Sequence, residues 1–190
     1  MMFSKSKKSF TLVELLIVIS IIGIISSIVF VSYSANQKRA RDAKRLADMT
    51  TIIHALKAYK QENGHYPEES KPAGDGWEYS YIATNDFLAA LHQYLPAVPT
   101  DPINKVTSTF SLASRAGSYT YAYHYYNQPT ELLNYDCQNV GSYAIIAFTS
   151  AEVDSNKLTE DATCGLGTAK SYDWGKDFDY SYKLADGNSL

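Results

Sequence analysis

A charge-free apolar run near the N-terminus constrains this chain more than any other feature. Residues 15–31, LLIVISIIGIISSIVFV, contain no charged side chain. The wider segment from Phe10 to Tyr33 would form about 36 Å of α-helix at about 1.5 Å per residue. That length exceeds a hydrocarbon core of about 30 Å. The sequence therefore predicts a transmembrane helix over residues 10–33.

Charge is distributed unevenly along the chain. Residues 1–62 carry a net charge of +6, residues 63–130 carry −3 and residues 131–190 carry −6. The first nine residues contain three lysines and no acid, and the positive-inside rule keeps such an end cytoplasmic. The total of −3 argues against a protein that mainly neutralises nucleic-acid phosphates. A membrane-anchored stem that carries an acidic external head is expected.

A cleaved secretory signal is the alternative for this N-terminus. The apolar region of such a signal is usually about 7–15 residues long and ends at a small-residue cleavage site. Here no A-x-A site follows the apolar run, and the helical pattern continues beyond it. A retained membrane span is therefore the favoured interpretation.

Glu14 is the anomaly in the apolar segment, because a carboxylate inside a membrane span is costly. One explanation is an interfacial residue that reaches toward the headgroups. The residues around it suggest another. The sequence KSFTLVE at positions 8–14, followed by LLIVISIIGII, resembles the prepilin signature of type IV pilins and type II secretion pseudopilins. The resemblance covers about the first 33 residues.

The resemblance implies a processing step and an assembly role. A prepilin peptidase would cut between Ser9 and Phe10, remove residues 1–9 as a leader peptide, and N-methylate the new amine of Phe10. Glu14 would then pair with the N-terminal amine of a neighbouring subunit in a filament. Two groups that are each costly in an apolar environment become tolerable once they are paired.

Two positions depart from the family pattern. Ser9 stands before the cut where Gly is usual, so slower or more permissive processing is expected. The stretch 28–31 contains no Pro, although many pilins have a proline kink there. Gly23, Ser26 and Ser27 could still allow local melting or close helix contact.

Residues 34–63 are predicted to form an amphipathic stem helix, since residues 35–62 contain neither Pro nor Gly. Gly64 and Pro67 end it. Its apolar stripe is predicted to contain Ala40, Ala43, Leu46, Ala47, Ile53 and Leu56, with partial help from Thr50. The opposite face is predicted to carry Lys38, Arg39, Arg41, Lys44, Arg45 and Lys57. This basic face suits solvent and lipid headgroups, contact with acidic heads of neighbours or, least of all, DNA.

The head, residues 64–190, is predicted to be a small antiparallel sheet with strands over residues 118–126, 143–148 and 178–184. A long helix packed on such a sheet gives an α+β, pilin-like fold. Tyrosines at 119, 121, 123 and 125 alternate and so share one face. That face either packs on the stem or forms an adhesive aromatic platform. Phe178, Tyr180, Tyr182 and Leu184 are likewise predicted to share a face.

The segment between the loop after the stem and the sheet is predicted to contain one further helix. Phe87, Leu88, Leu91 and Leu95 recur at helical spacing within residues 85–95, and Asn85 or Asp86 is the candidate cap. Three prolines then follow within residues 96–102, which favours an extended, rigid turn.

Two cysteines and three acids complete the candidate residues. Cys137 and Cys164 are predicted to form a disulfide, because an oxidising exterior favours one; free thiols are the alternative. Asp173, Asp177 and Asp179 are weak candidates for calcium, since their spacing does not match the EF-hand loop. The four histidines are scattered without a nucleophile nearby, and the sequence predicts no enzyme and no cofactor.

The expected function is structural: a filament subunit of a type IV pilus or of a type II secretion system. The implied partners are further copies and related pilins, the prepilin peptidase, an inner-membrane assembly platform, and membrane lipid before assembly, with no specific nucleic acid. The expected location is a single-pass inner-membrane protein that later enters a surface or periplasmic filament. The alternative is a minor pilin that binds a ligand through its tyrosine-rich head.

Overall fold

The structure, a computed structural model, describes residues 10–82, 86–108, 110–111, 117–134, 141–153, 158–160 and 178–185. The chain divides into two compact units, Met1–Ala40 and Arg41–Leu190. The sequence-based boundaries of leader, span, stem and head stay predictions. In the structure, residues 41–63 of the stem belong to the same unit as the head.

One long helix, α1 (Leu12–Asn63), begins in the first unit and has 52 residues. Two hydroxyls in its apolar part are bonded within the helix itself. Ser20 Oγ donates to the carbonyl of Leu16, and Ser27 Oγ donates to that of Ile24, each at 2.7 Å. These serines therefore need no outside partner in an apolar environment. Among the described residues, none of the helices is both long and apolar enough for a membrane crossing.

The end of α1 is the glycine cap that the sequence predicts. Gly64 has a φ of 81°, in the left-handed region that favours glycine. Its N–H donates to the carbonyl of Lys60 at 2.7 Å. The Asn63 side-chain amide donates to the carbonyl of Tyr59 at 2.8 Å. Both bonds satisfy carbonyls that the last turn of a helix would otherwise leave unpaired.

The second unit contains a five-stranded sheet, which confirms the α+β class. Its strands are β1 (Glu78–Tyr79), β2 (Tyr121–Tyr126), β3 (Tyr143–Phe148), β4 (Leu158–Glu160) and β5 (Tyr180–Ala185). They lie in the order β1-β2-β3-β5-β4. All neighbours are antiparallel except β4, which pairs in parallel with β5. A short helix, α2 (Pro129–Asn134), follows β2.

One face of this sheet packs on α1 through tyrosines. Tyr121, Tyr123 and Tyr125 of β2 belong to the core that also contains residues of α1. Two of these tyrosines bind polar partners through their hydroxyls. Tyr121 Oη donates to Asp48 at 2.8 Å, and Tyr123 Oη donates to the carbonyl of Pro67 at 2.7 Å. Bonded hydroxyls make such burial tolerable. The packed interpretation of the tyrosine face is confirmed.

The apolar stripe of α1 is confirmed at Ile53 and Leu56, which are buried in the core, but is wrong at its alanines. Ala40, Ala43, Ala47 and Thr50 are exposed, and Leu46 is half-buried. The buried α1 side chains that the predicted stripe did not contain are Arg45, Asp48, Met49, Ile52 and Ala55. Residues 45, 49, 52 and 56 also recur at spacings of three and four. This set is the buried one because burying Met, Ile and Leu side chains removes more apolar area from water than burying alanines does.

The other face of the sheet has its own aromatic core. Trp77, Tyr79 and Phe178 lie in it together with Tyr126 and Tyr143. The prediction that Phe178 shares a face with Tyr180, Tyr182 and Leu184 is wrong, because those three belong to or pack against the core beside α1. Strand alternation begins only at the first residue of β5, and Phe178 precedes it.

The predicted helix over residues 85–95 is only a short 3-10 helix, Ala89–Gln93. Asn85 lies outside the described residues, and the Asp86 carboxylate pairs with Lys71 instead of capping. The residue at the N-cap position is Leu88, with φ and ψ both 49°. Leu88 and Leu91 are buried in the core, so tertiary packing overrides the local helical spacing.

Arg45, which the sequence places on the exposed basic face, is fully buried. Its Nε donates to Asp101 Oδ2 at 2.6 Å and its Nη2 to Asp101 Oδ1 at 3.1 Å. Its Nη1 donates to Asp42 at 2.6 Å and to Glu152 at 3.3 Å. Although burial opposes the charge, the hydrogen bonds and charges of these carboxylates raise the pKa of Arg45 above its ordinary value. The prediction for Arg45 is therefore wrong.

This ion cluster ties α1 to two loops of the head. Asp101 lies in the proline-rich turn and accepts the backbone N–H groups of Ile103 and Asn104 at 2.8 and 3.2 Å. Glu152 forms a two-bond pair with Arg41 at 2.5 and 2.6 Å. Hydrogen bonds from Arg41 lower the pKa of Glu152, while its burial opposes that shift. Because each buried charge has a partner, the cluster also fixes which face of α1 meets the head.

Candidate assembly site

The N-terminal end of α1 brings together Thr11 and Glu14, residues of the predicted processing and assembly segment. The helix begins at Leu12, which makes Thr11 its N-cap residue. Thr11 N–H and Thr11 Oγ1 both donate to Glu14 Oε2, at 2.9 and 2.8 Å. The Glu14 backbone N–H donates back to Thr11 Oγ1 at 3.2 Å. This reciprocal arrangement is a capping box.

The capping box fixes the position of the Glu14 carboxylate. Its negative charge lies at the positive end of the helix dipole, a favourable place for an anion. Phe10, whose amine the predicted cleavage would expose, directly precedes the cap and is 82% exposed. The site therefore presents a held carboxylate four residues after the predicted new N-terminus.

Next to this carboxylate α1 presents an apolar surface. In the unassembled chain, large apolar side chains are exposed at Leu12, Val13, Leu15, Leu16, Ile17, Val18, Ile19, Ile21, Ile22, Ile24 and Ile25. No charged residue occurs between Glu14 and the end of this set. An exposed apolar patch of this extent is typical of a surface that another partner covers.

The capping role of Thr11 was missed by the sequence analysis. The signal was present, since Thr-x-x-Glu before an apolar run is the pattern of a capping box. From the sequence, Glu14 is expected either to reach toward the headgroups or to pair with a neighbouring subunit. The structure adds an intramolecular role, because the same carboxylate accepts the N–H and the hydroxyl of Thr11, the N-cap residue of its own helix.

The remaining candidate residues are only partly described. Ser9, Cys137, Cys164, Asp173 and Asp177 lie outside the described residues. Asp179 is described, and its carboxylate accepts the backbone N–H of Ala151 at 2.8 Å. Within the described ranges, no group of three or more His, Cys, Asp or Glu side chains is placed to hold a metal ion.

The disulfide between Cys137 and Cys164 stays a prediction with a direct test. Mass mapping of the non-reduced protein is expected to find the two cysteines linked. The bond would close a loop of about 28 residues and contribute roughly 3–4 kcal/mol in the chain-entropy model. Cys137→Ser should lower the free energy of unfolding by that amount. Two free thiols in natively exported protein would contradict the prediction.

Comparison with known families agrees with the features of the N-terminal end. A sequence model of the prokaryotic N-terminal methylation motif matches residues 4–30. The match includes the predicted cleavage position, the capping box of Thr11 and Glu14, and the exposed apolar part of α1. No solved structure matches the chain significantly.

Several proteins are similar to part of this chain. Type II secretion system core protein G of Escherichia coli K12 is 36% identical over 100 residues, which are 50% of this chain and 66% of that protein. The protein of the same name from Aeromonas hydrophila is 35% identical over 66 residues, 35% of this chain and 46% of its own length. The one from Klebsiella michiganensis is 36% identical over 63 residues, 33% of this chain and 44% of its own length.

The matched regions thus cover less than two thirds of these relatives' lengths. With the methylation motif matched and the carboxylate held at the start of an apolar helix, this chain belongs to the superfamily of type IV pilins and type II secretion pseudopilins.

Proposed function

We propose that this protein is a pseudopilin, a subunit that assembles with further copies and related pilins into a filament of a type II secretion system. The observation that carries the proposal is the Glu14 carboxylate, held at the start of a helix whose apolar side chains are exposed. The relatives named type II secretion system core protein G favour a secretion filament over a type IV pilus.

In this proposal the apolar part of α1 has two successive environments. Before assembly it is the membrane anchor that the charge-free sequence favours, with the lysine-rich end in the cytoplasm. After assembly neighbouring helices cover it; because it then leaves lipid and not water, close packing and polar pairs between helices stabilise the contact. An inner-membrane assembly platform would mediate the transfer.

Glu14 supplies the specificity that apolar packing lacks. Apolar contacts between helices are non-directional, so they alone do not define how far one subunit is shifted along its neighbour. A single buried polar pair can define such a register. The methylated amine of Phe10 on a neighbouring subunit is the partner that the processing step would create.

The structure gives no support to the alternative of an adhesive tyrosine platform. Of the tyrosines predicted to share this face, Tyr121, Tyr123 and Tyr125 are at most 6% exposed, and Tyr119 is half-buried. An adhesive platform requires exposed rings. A structural subunit without catalytic activity is therefore the function that we propose.

Processing by prepilin peptidase is the direct test of the proposal. Co-expression with the peptidase should shorten the chain by the nine leader residues and leave N-methylated Phe10 first. Intact-mass spectrometry measures both changes at once. Ser9→Gly should speed the cut, because it restores the usual residue, and Ser9→Phe should block it. A retained leader in the presence of an active peptidase, or a cut beyond residue 33, would refute the proposal.

A further inference from the structure

Glu78 is a buried carboxylate that filament assembly does not use. It lies on the two-residue edge strand β1, opposite Tyr123 of β2, and none of its surface is exposed to solvent. A buried carboxylate is expensive unless its oxygens are hydrogen-bonded and its charge is compensated. The hydrogen-bond partners of Glu78 therefore indicate its role.

The two oxygens of Glu78 bind two separate segments of the head. Oε2 accepts the backbone N–H of Ser70 at 3.0 Å, in the loop after the stem. Oε1 accepts the backbone N–H of Leu88 at 3.1 Å, at the start of the 3-10 helix. One carboxylate thus joins residues 68–77 to residues 86–95, and we refer to this three-residue connection as the Glu78 latch.

The Leu88 end of the latch is under backbone strain. Leu88 has a φ of 49°, and a non-glycine residue in the left-handed region is held there only by its surroundings. Its side chain is buried in the core beside α1, and its N–H is held by Glu78. If the N–H bond is lost, one of the two restraints on this conformation is removed.

Among the described residues, Glu78 and Asp101, both buried acids of the head, differ in how their charge is compensated. Asp101 is paired with Arg45 at 2.6 Å, whereas no cationic side chain within residues 10–82 and 86–108 forms an ion pair with Glu78. Burial raises the pKa of Glu78; the N–H bonds from Ser70 and Leu88 oppose that shift, and the charges of Glu69 and Asp86 add to it.

The neighbouring titratable groups are engaged elsewhere. Tyr123, across the strand pair, donates its hydroxyl proton to the carbonyl of Pro67. Glu69 Oε1 lies 2.6 Å from His124 Nδ1, and Lys71 pairs with Asp86. Lys71, on the loop that Glu78 binds through Ser70, and His124, on β2, are therefore each directed at another carboxylate.

We propose that the Glu78 latch is a proton-operated connection that opens when the carboxylate takes up a proton from solvent. The added proton converts one oxygen from an acceptor into an O–H donor, which faces a backbone N–H that also donates. One of the two N–H bonds is then lost, and residues 86–95 loosen from residues 68–77. The latch acts within the head and does not depend on filament assembly.

Amide hydrogen exchange of the full chain in detergent micelles tests the latch. The pH is lowered from about 7 to about 4, a range that reaches the usual glutamate pKa of about 4.3. Over this range the backbone N–H that loses its bond to Glu78, either that of Ser70 or that of Leu88, should show a protection factor lower by on the order of fivefold. Protection factors already correct for the intrinsic pH dependence of exchange. The amides of Ile103 and Asn104, held by Asp101 beside Arg45, should keep their protection as internal controls.

Glu78→Gln is the matched variant, because it keeps the shape of the side chain and cannot titrate. Its protection at Ser70 and Leu88 should not change over the same pH range. An equal pH-dependent loss in wild type and variant would overturn the proposal, as would unchanged protection in wild type. If the variant does not fold, the carboxyl carbon of Glu78 in the wild-type protein is followed by NMR. A titration midpoint at or below the usual glutamate value would then refute the latch.

Discussion

We expect that replacing Glu14 with Leu will abolish formation of the proposed filament but leave the leader cleaved and the head folded. If Glu14 only reached toward the headgroups, the change would make the apolar segment easier to insert and would alter nothing else. If Glu14 pairs with the Phe10 amine of a neighbour, Glu14→Leu leaves that amine unpaired in an apolar environment. A filament repeats this loss at every subunit contact. Electron microscopy should therefore find no filaments from the pure variant.

The capping box requires a control, because Glu14→Leu also removes the bonds to Thr11. Thr11→Val keeps the shape of the side chain and the Glu14 charge but removes the hydroxyl that contacts Glu14 Oε2. If intermolecular pairing is what matters, Thr11→Val should still form filaments, whereas Glu14→Leu should not. An equal loss of filaments in both variants would mean that the essential role of Glu14 is to cap its own helix and not to pair with a neighbouring subunit.

A mixing experiment measures how filament length depends on the fraction of variant subunits. Glu14→Leu subunits mixed with wild type should be incorporated poorly or should stop growth, so mean filament length should fall as their fraction rises. Normal length and yield from the pure variant would contradict the pairing hypothesis. In that case the exposed apolar helix would suffice for assembly.

Replacing Arg45 with Ala lowers the free energy of unfolding of the head by about 3–5 kcal/mol. Arg45 and Asp101 are both fully buried at their side chains, so the variant leaves the carboxylate without its cation. This loss is a large fraction of the free energy of unfolding of a typical domain, which is about 5–15 kcal/mol. Denaturant unfolding of the full chain in detergent, followed by circular dichroism, measures the shift of the midpoint.

Three control variants separate the causes of this loss. Arg41→Ala removes a cation that is 32% exposed and should cost clearly less than Arg45→Ala. Arg45→Lys keeps the charge but loses the two-bond geometry to Asp101, so its effect should be intermediate. Arg45→Met combined with Asp101→Leu removes both charges and should recover most of the stability. Equal stability of wild type and Arg45→Ala would show that the buried pair contributes nothing net.

The strands of the head were predictable because their signals are local. Alternating tyrosines before residue 127 and the run YAIIAF at 143–148 follow the period of a strand, and β2 and β3 are found there. The order of the strands and the parallel pairing of β4 with β5 are not local properties. They depend on which edges meet once the chain is folded.

The stem illustrates where local reasoning fails. Both the predicted stripe and the one through Met49 and Ile52 satisfy helical spacing; the second is buried, whereas the alanines of the first are exposed. The head decides between them, because its tyrosine face provides both the apolar contacts and the hydroxyl that bonds Asp48. Arg45 is buried for the same reason: Asp101, 56 residues later in the chain, is brought beside it.

The sequence by itself determined the long helix, its glycine end at Gly64, the α+β class and the methylation motif, since each depends on residues close together in the chain. Tertiary structure alone decided which face of α1 is buried, that Arg45 lies inside an ion cluster, and that Glu78 joins two loops. These depend on contacts between distant residues. The free energy of burying a charge depends on partners that only the folded chain brings within hydrogen-bond distance.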